Sequence, residues 1–262
     1  MSATATLSSV STCPPYPKEL ADMAVPWDPE MVPQKVVIIQ AQTFQAWVDA
    51  MLPAGNTLTP GMKRVIEKSD DVIKVGRWSL RRRVLPVYTL RYPGMLSYRS
   101  NPWWELSALS ILHKGRRFGE VGFDGDVIIP VLVDQNNAPW MSITPSEVWS
   151  NRPGLRKAKG DVLIGGLGMG MAARMIRAKQ GIGRVVVVER DPDVARVFGE
   201  IPGVEVVVED FYAYATQHGS DFTAIIADIW QDYGGAAWDR RFQELKEKHP
   251  RVWGWGDYAR LG

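Results

Sequence analysis

The chain has 262 residues, with 31 Lys and Arg against 29 Asp and Glu; the formal net charge of +2 is too small to argue for a nucleic-acid partner by itself. With 45% hydrophobic residues it can bury an ordinary core, and its one cysteine, Cys13, excludes an intramolecular disulfide framework and suits a reducing compartment. No apolar run approaches the roughly 20 residues needed to span a bilayer. Met1-Ser-Ala-Thr-Ala-Thr-Leu-Ser-Ser9 lacks the basic start and apolar stretch of a secretory signal, so a cytoplasmic protein with no membrane association is expected.

Taken in chain order, residues 1–34 are rich in Ser, Thr and Pro, as in Cys13-Pro-Pro and Val25-Pro-Trp-Asp-Pro, and read as a poorly ordered extension. Residues 35–150 read as a β-rich cap domain with some helix. Val36-Val-Ile-Ile39 is a strand candidate, and Thr43-Phe-Gln-Ala-Trp-Val-Asp-Ala-Met-Leu52 has the spacing of a short amphipathic helix. Trp78 to Tyr88 is strand-like, with Pro86 demoting it to an edge or a broken strand. Arg117 to Phe123, the Asp124-Gly125-Asp126 turn and Val127 to Val133 together read as a hairpin. Thr144-Pro-Ser-Glu147 is a capping box with proline at the first helical position, so a helix starts there.

From residue 151 to 262 the pattern becomes an alternation of β and α segments. Strand 162–166 leads to helix 170–180, and strand 184–189 to a helix opened by Asp191-Pro192. Strand 204–208 leads to a helix at Asp210, strand 222–228 to a helix near 236–248, and Arg251-Val-Trp-Gly-Trp255 supplies a fifth strand. This spacing predicts an α/β domain, a doubly wound parallel sheet shortened to five strands.

The chemistry concentrates at the strand ends. Val162-Leu-Ile-Gly-Gly-Leu-Gly-Met-Gly170 runs from strand to glycine turn to helix, leaving unpaired N–H groups and a backbone that a ligand can approach closely. Gly168-Met-Gly-Met-Ala-Ala173 fits a dinucleotide fingerprint, whereas Gly166-Leu-Gly-Met-Gly170 has the G-x-G-x-G spacing of an S-adenosylmethionine (SAM) domain. The loop alone leaves both open. Glu189, 23 residues after Gly166, is placed to accept from ribose hydroxyls. Asp210 closes the third strand, where it can accept from an adenine amino group while Phe211 or Tyr212 packs on the ring, and Asp228 closes the fourth. Acids at three successive strand ends suit a ribose, an adenine and a cationic tail, and suit a pyrophosphate poorly because anions repel one another.

On these motifs, residues 150–256 resemble the class I SAM-dependent methyltransferase superfamily, and within it the spermidine-synthase-like branch, which carries an N-terminal β-domain. The resemblance implies a Rossmann-like fold in which Gly166, Gly168 and Gly170 line the methionine part of SAM, Glu189 holds the ribose and Asp210 with Phe211 the adenine. The pattern departs from the family at several points. Ile164 stands where methyltransferases carry an acid before the first glycine, and Met169 where aminopropyltransferases carry an Asp. Asp228 and Asp232 are four apart rather than three, and no sixth or seventh strand is expected.

The leading expectation is a SAM-dependent methyltransferase acting on a small-molecule acceptor, with Asp228 as the catalytic group and Trp230 and Asp232 at the acceptor. Two rivals stand beside it. One is an aminopropyltransferase acting on a polyamine; the other is a non-catalytic protein that binds SAM or nucleic acid. The last would use the segment 76–117, whose nine Lys or Arg face one acid, Glu105, with Trp and Tyr interleaved. The duller reading, that these aromatics are cap core, is preferred. His113, His218 and His249 have no metal spacing, so no metal is expected. The acceptor and the oligomeric state are not legible.

Overall fold

The computed structural model describes residues 36–52, 72–85, 112–113, 116–117, 120–123, 125, 127–231, 235–255 and 257. The N-terminal extension with Cys13, most of the basic segment 76–117, and Asp232 lie outside the described residues.

The first half contains β1 (Val36–Ile39), α1 (Ala41–Met51), β2 (Val72–Val75), β3 (Trp78–Leu85), β4 (Leu112–His113) and β5 (Arg116–Arg117). These are followed by β6 (Glu120–Phe123), β7 (Val127–Val133), β8 (Pro139–Ser142) and α2 (Pro145–Lys157). Strands β2, β3, β7 and β8 form an antiparallel sheet in that order. Two expectations are corrected here. The hairpin around Asp124-Gly125 does not form, because β6 pairs in parallel with β1 while β7 pairs with β3 and β8. The β3 strand is central rather than an edge, since β2 pairs on one side of it and β7 on the other, and Pro86 lies outside the described residues. The capping box at α2 is present, with Thr144 Oγ1 accepting from the Glu147 N–H at 3.2 Å.

The second half alternates as expected: β9 (Gly160–Gly165), α3 (Met171–Arg177), β10 (Ile182–Glu189), α4 (Pro192–Phe198), β11 (Glu205–Val208), α5 (Phe211–His218) and β12 (Ala224–Ala227). Helices α6 (Gly235–Trp238) and α7 (Arg240–Lys248) and strand β13 (Val252–Gly254) complete it. The five strands are all parallel, in the order β11-β10-β9-β12-β13. The order reverses direction at β9, which creates a crevice at the strand carboxyl ends between β9 and β12.

The interior strands are apolar on both faces because helices cover both. Leu163, Val186, Val188 and Ile225 pack with Phe211 and Tyr214 of α5 and Phe242 and Leu245 of α7. Val162, Ile164, Val185, Val187 and Ile226 face the other way. Their core runs without interruption into Phe44 and Trp47 of α1, Val131 and Val133 of β7, and Val148 of α2. The antiparallel sheet and the parallel sheet therefore share one hydrophobic core. Among the described residues no helix is long and apolar enough to cross a membrane.

Candidate active site

A cavity of about 190 Å³ opens at the carboxyl ends of β9, β10 and β12. Of the residues singled out in the sequence, Gly166, Gly168, Glu189, Asp210, Phe211, Asp228 and Trp230 line it. Gly170 does not; it is the N-cap of α3, its side packed toward Ile201.

The floor is the glycine turn, whose backbone geometry is dictated by its neighbours. Gly166 has φ +84° and Gly168 φ +53°, conformations costly for residues with a Cβ. A Cβ on Gly166 would run into the backbone carbonyl oxygen of Asp228, and one on Gly168 into Sδ of Met141 from β8. That sulfur also accepts from the Met169 N–H at 3.0 Å. The glycines thus permit close packing of the loop on β12 and on the cap, whereas the sequence suggested a clearance for ligand alone.

Glu189 stands at the end of β10 and is fixed by two loop amides: Leu167 N–H donates to Oε2 and Asp191 N–H to Oε1, each at 2.9 Å. One carboxylate therefore joins the glycine turn to the turn after β10 and keeps lone pairs for a ligand hydroxyl. Asp210 caps α5, its Oδ1 accepting from Tyr212 N–H at 3.0 Å and Ala213 N–H at 3.1 Å. Its Oδ2 takes no donor among the described residues, so capping and ligand binding are compatible roles on one side chain. The ring of Phe211 lies 5.2 Å from that of Tyr212. Its ring also stands where a Cβ on Gly165 would be, under the turn.

The far wall was only partly legible in the sequence. Asp239, which caps α7 through Oδ1, accepts on Oδ2 from the Tyr212 hydroxyl at 2.8 Å and from Trp230 Nε1 at 3.1 Å. Burial alone would raise the Asp239 pKa, but the Tyr212, Trp230 and backbone donors outweigh it and hold the carboxyl below the usual carboxylate range. Burial, and then the bond to Asp239, push the Tyr212 hydroxyl far above its ordinary value, so it remains a neutral donor at physiological pH. Arg241 lies over the Tyr212 ring at 4.3 Å. The available signal was an Asp immediately before the amphipathic run Arg240–Lys248, the pattern of an N-cap.

The roof comes from the antiparallel sheet. Trp78 of β3 and Trp140 of β8 meet edge to face at 5.2 Å, and both line the cavity with Met141. Trp78 Nε1 donates to Asp191 Oδ2 at 2.7 Å, and Arg77 Nε donates to the same oxygen at 3.0 Å. Burial pushes the Asp191 pKa up. The Trp78 indole, the Asp193 and Val194 amides and Arg77 together more than offset this, so it lies below the ordinary value. A carboxyl with a depressed folded pKa adds stability above its unfolded pKa, about 4, and loses that contribution as pH falls through the folded value. The thermal stability of the native protein should therefore exceed that of Asp191→Asn at neutral pH, and the two should converge in acid; melting curves from pH 7 to pH 3 check this. Among the described residues no group of three or more His, Cys, Asp or Glu is placed to hold a metal ion.

No protein-family model matches the chain, and no curated protein matches it. Two solved structures are similar to part of this chain. One is described as a DhpI-SAM-HEP complex, at 19% identity and TM-score 0.29, covering 40% of this chain and 50% of that chain. The other is from Streptococcus mutans and is assigned provisionally as a SAM-dependent methyltransferase, at 14% identity and TM-score 0.30, covering 53% of this chain and 38% of that chain. This chain thus spans half or less of the length of either protein.

Proposed function

We propose that the protein binds SAM and transfers its methyl group to a small-molecule acceptor. The observation that carries this reading is one cavity floored by a glycine turn and ringed by Glu189, Asp210 and Asp228, acids at the ends of three parallel strands. A pyrophosphate there would meet three carboxylates, and at separations of a few ångströms such repulsion amounts to roughly 1 kcal/mol or more per pair. A ribose, an adenine amino group and a sulfonium meet acceptors or opposite charge instead.

The residues present fit such a ligand. Glu189 would accept from the ribose hydroxyls, and Asp210 Oδ2 from the adenine amino group with Phe211 against the ring. When bound, SAM supplies an already activated sulfonium methyl, so the protein's share of the work is alignment and exclusion of water. Trp78, Trp140 and Met141 exclude water from above, and Trp230, held by Asp239, frames the acceptor side. Asp228 accepts a hydrogen bond or a proton from the acceptor's nucleophilic group. The antiparallel sheet placed ahead of the first parallel strand favours the spermidine-synthase-like branch, with aminopropyl transfer to a polyamine as the second reading.

Mass spectrometry of the purified protein, with calorimetric titration of S-adenosylhomocysteine and NAD, tests the cofactor. Micromolar binding of S-adenosylhomocysteine is expected; tight NAD binding with no response to S-adenosylhomocysteine would overturn the assignment. Turnover assays that compare SAM with decarboxylated SAM plus a polyamine separate the two transfer chemistries.

A further inference from the structure

The carboxylate of Asp191 accepts from the antiparallel sheet, while its own backbone N–H donates to Glu189 Oε1 at 2.9 Å. One short turn therefore bonds the acid proposed for the ribose on one side and the cap on the other. The cap contact is dense. Arg77 and Trp78 share Asp191 Oδ2, the Arg77 guanidinium stacks over the Trp78 ring at 4.9 Å, and Gly76 lies so close to the Asp193 carboxylate that no Cβ would fit. Asp191 is only 8% exposed. Its other oxygen, Oδ1, caps α4 through the Asp193 and Val194 amides at 3.0 and 3.4 Å.

We propose that Asp191 is a positioning residue that links the β2–β3 hairpin to the nucleoside site. Docking of Arg77 and Trp78 on its carboxylate holds Trp78 over the cavity and steadies the turn that orients Glu189; ligand on Glu189 in turn tightens the hairpin. The inference rests on the nucleoside reading above. It adds that residues outside the parallel sheet, Arg77 and Trp78, set ligand affinity through a group that touches no ligand. Linkage of this kind is reciprocal: whatever the hairpin contributes to affinity, ligand returns as protection of the hairpin.

Two variants break the contact. Asp191→Asn keeps an oxygen to cap α4, since Asn caps as well as Asp, but replaces the acceptor of the Arg77 and Trp78 bonds with a donor. Trp78→Phe keeps an aromatic ring over the cavity but removes the indole N–H together with part of the ring's bulk. Titration with S-adenosylhomocysteine should show each variant binding roughly tenfold more weakly, the scale of one hydrogen bond to a charged group. Trp78→Phe should cost less in the Asp191→Asn background than in the native one, because the two variants share one bond. Hydrogen exchange should show residues 72–85 slowed by S-adenosylhomocysteine in the native protein and not in Asp191→Asn. Native affinity in both variants, or hairpin exchange in the native protein that ignores bound ligand, would overturn the linkage and leave the nucleoside reading standing. A native protein that binds no S-adenosylhomocysteine would bring down both.

Discussion

Replacing Glu189 with alanine is expected to weaken binding of S-adenosylhomocysteine by about 1.5–3 kcal/mol, on the order of tenfold to a hundredfold in Kd. The side chain does two things that alanine cannot. It offers its remaining lone pairs to ribose hydroxyls, and it accepts the Leu167 and Asp191 amides at 2.9 Å, which fixes the glycine turn against the turn after β10. Glu189→Gln separates these roles, because an amide oxygen retains one of the loop bonds while the carboxamide loses charge and one acceptor. Calorimetry on both variants, with melting curves to follow the fold, reads the outcome. Unchanged affinity in Glu189→Ala would mean that the carboxylate serves the loop only and that the ribose lies elsewhere.

The parallel half was legible because its local chemistry and its global role agree. Strands buried on both faces read as unbroken apolar runs such as Val185–Val188, and the first three lead within a few residues to a helix N-cap, Gly170, Asp191 or Asp210. The site residues on these ends were therefore recoverable without knowing any long-range contact. The cap was not. Its pairings join β1 to β6 and β3 to β7 across long stretches of chain, and nothing in a local window specifies which strand a given apolar run will meet. The Asp124-Gly125 signal misled for that reason: an Asp-Gly pair between two strands is a hairpin only if the strands pair with each other. The residues that reach the site from a distance, Trp78, Met141 and Asp239, were invisible as site residues for the same cause. Each looks like core or a helix cap until the sheet order places it.

The glycine turn gives the sharpest separation between ligand clearance and packing. Gly166→Ala should lower stability by more than about 2 kcal/mol and abolish binding of S-adenosylhomocysteine. Its φ of +84° is unfavourable for alanine, and the new Cβ would meet the Asp228 carbonyl, which belongs to backbone and cannot rotate away. Relief requires β9 and β12 to part, although Asp228 N–H is bonded to the Gly165 carbonyl at 2.9 Å. At Gly168 the obstacle is Sδ of Met141, part of a flexible side chain. Gly168→Ala should therefore be milder, and its cost should overlap with that of Met141→Ala, since the smaller side chain vacates the space the new Cβ needs. Melting curves on the two single variants and the double variant measure this coupling, with the double variant more stable than the sum of the single losses implies. Strict additivity would show that the sulfur does not confine Gly168. If Gly168→Ala then lost ligand binding while keeping its stability, the original expectation would regain its place: the turn would be glycine for the sake of the ligand, and the packing of Met141 a consequence.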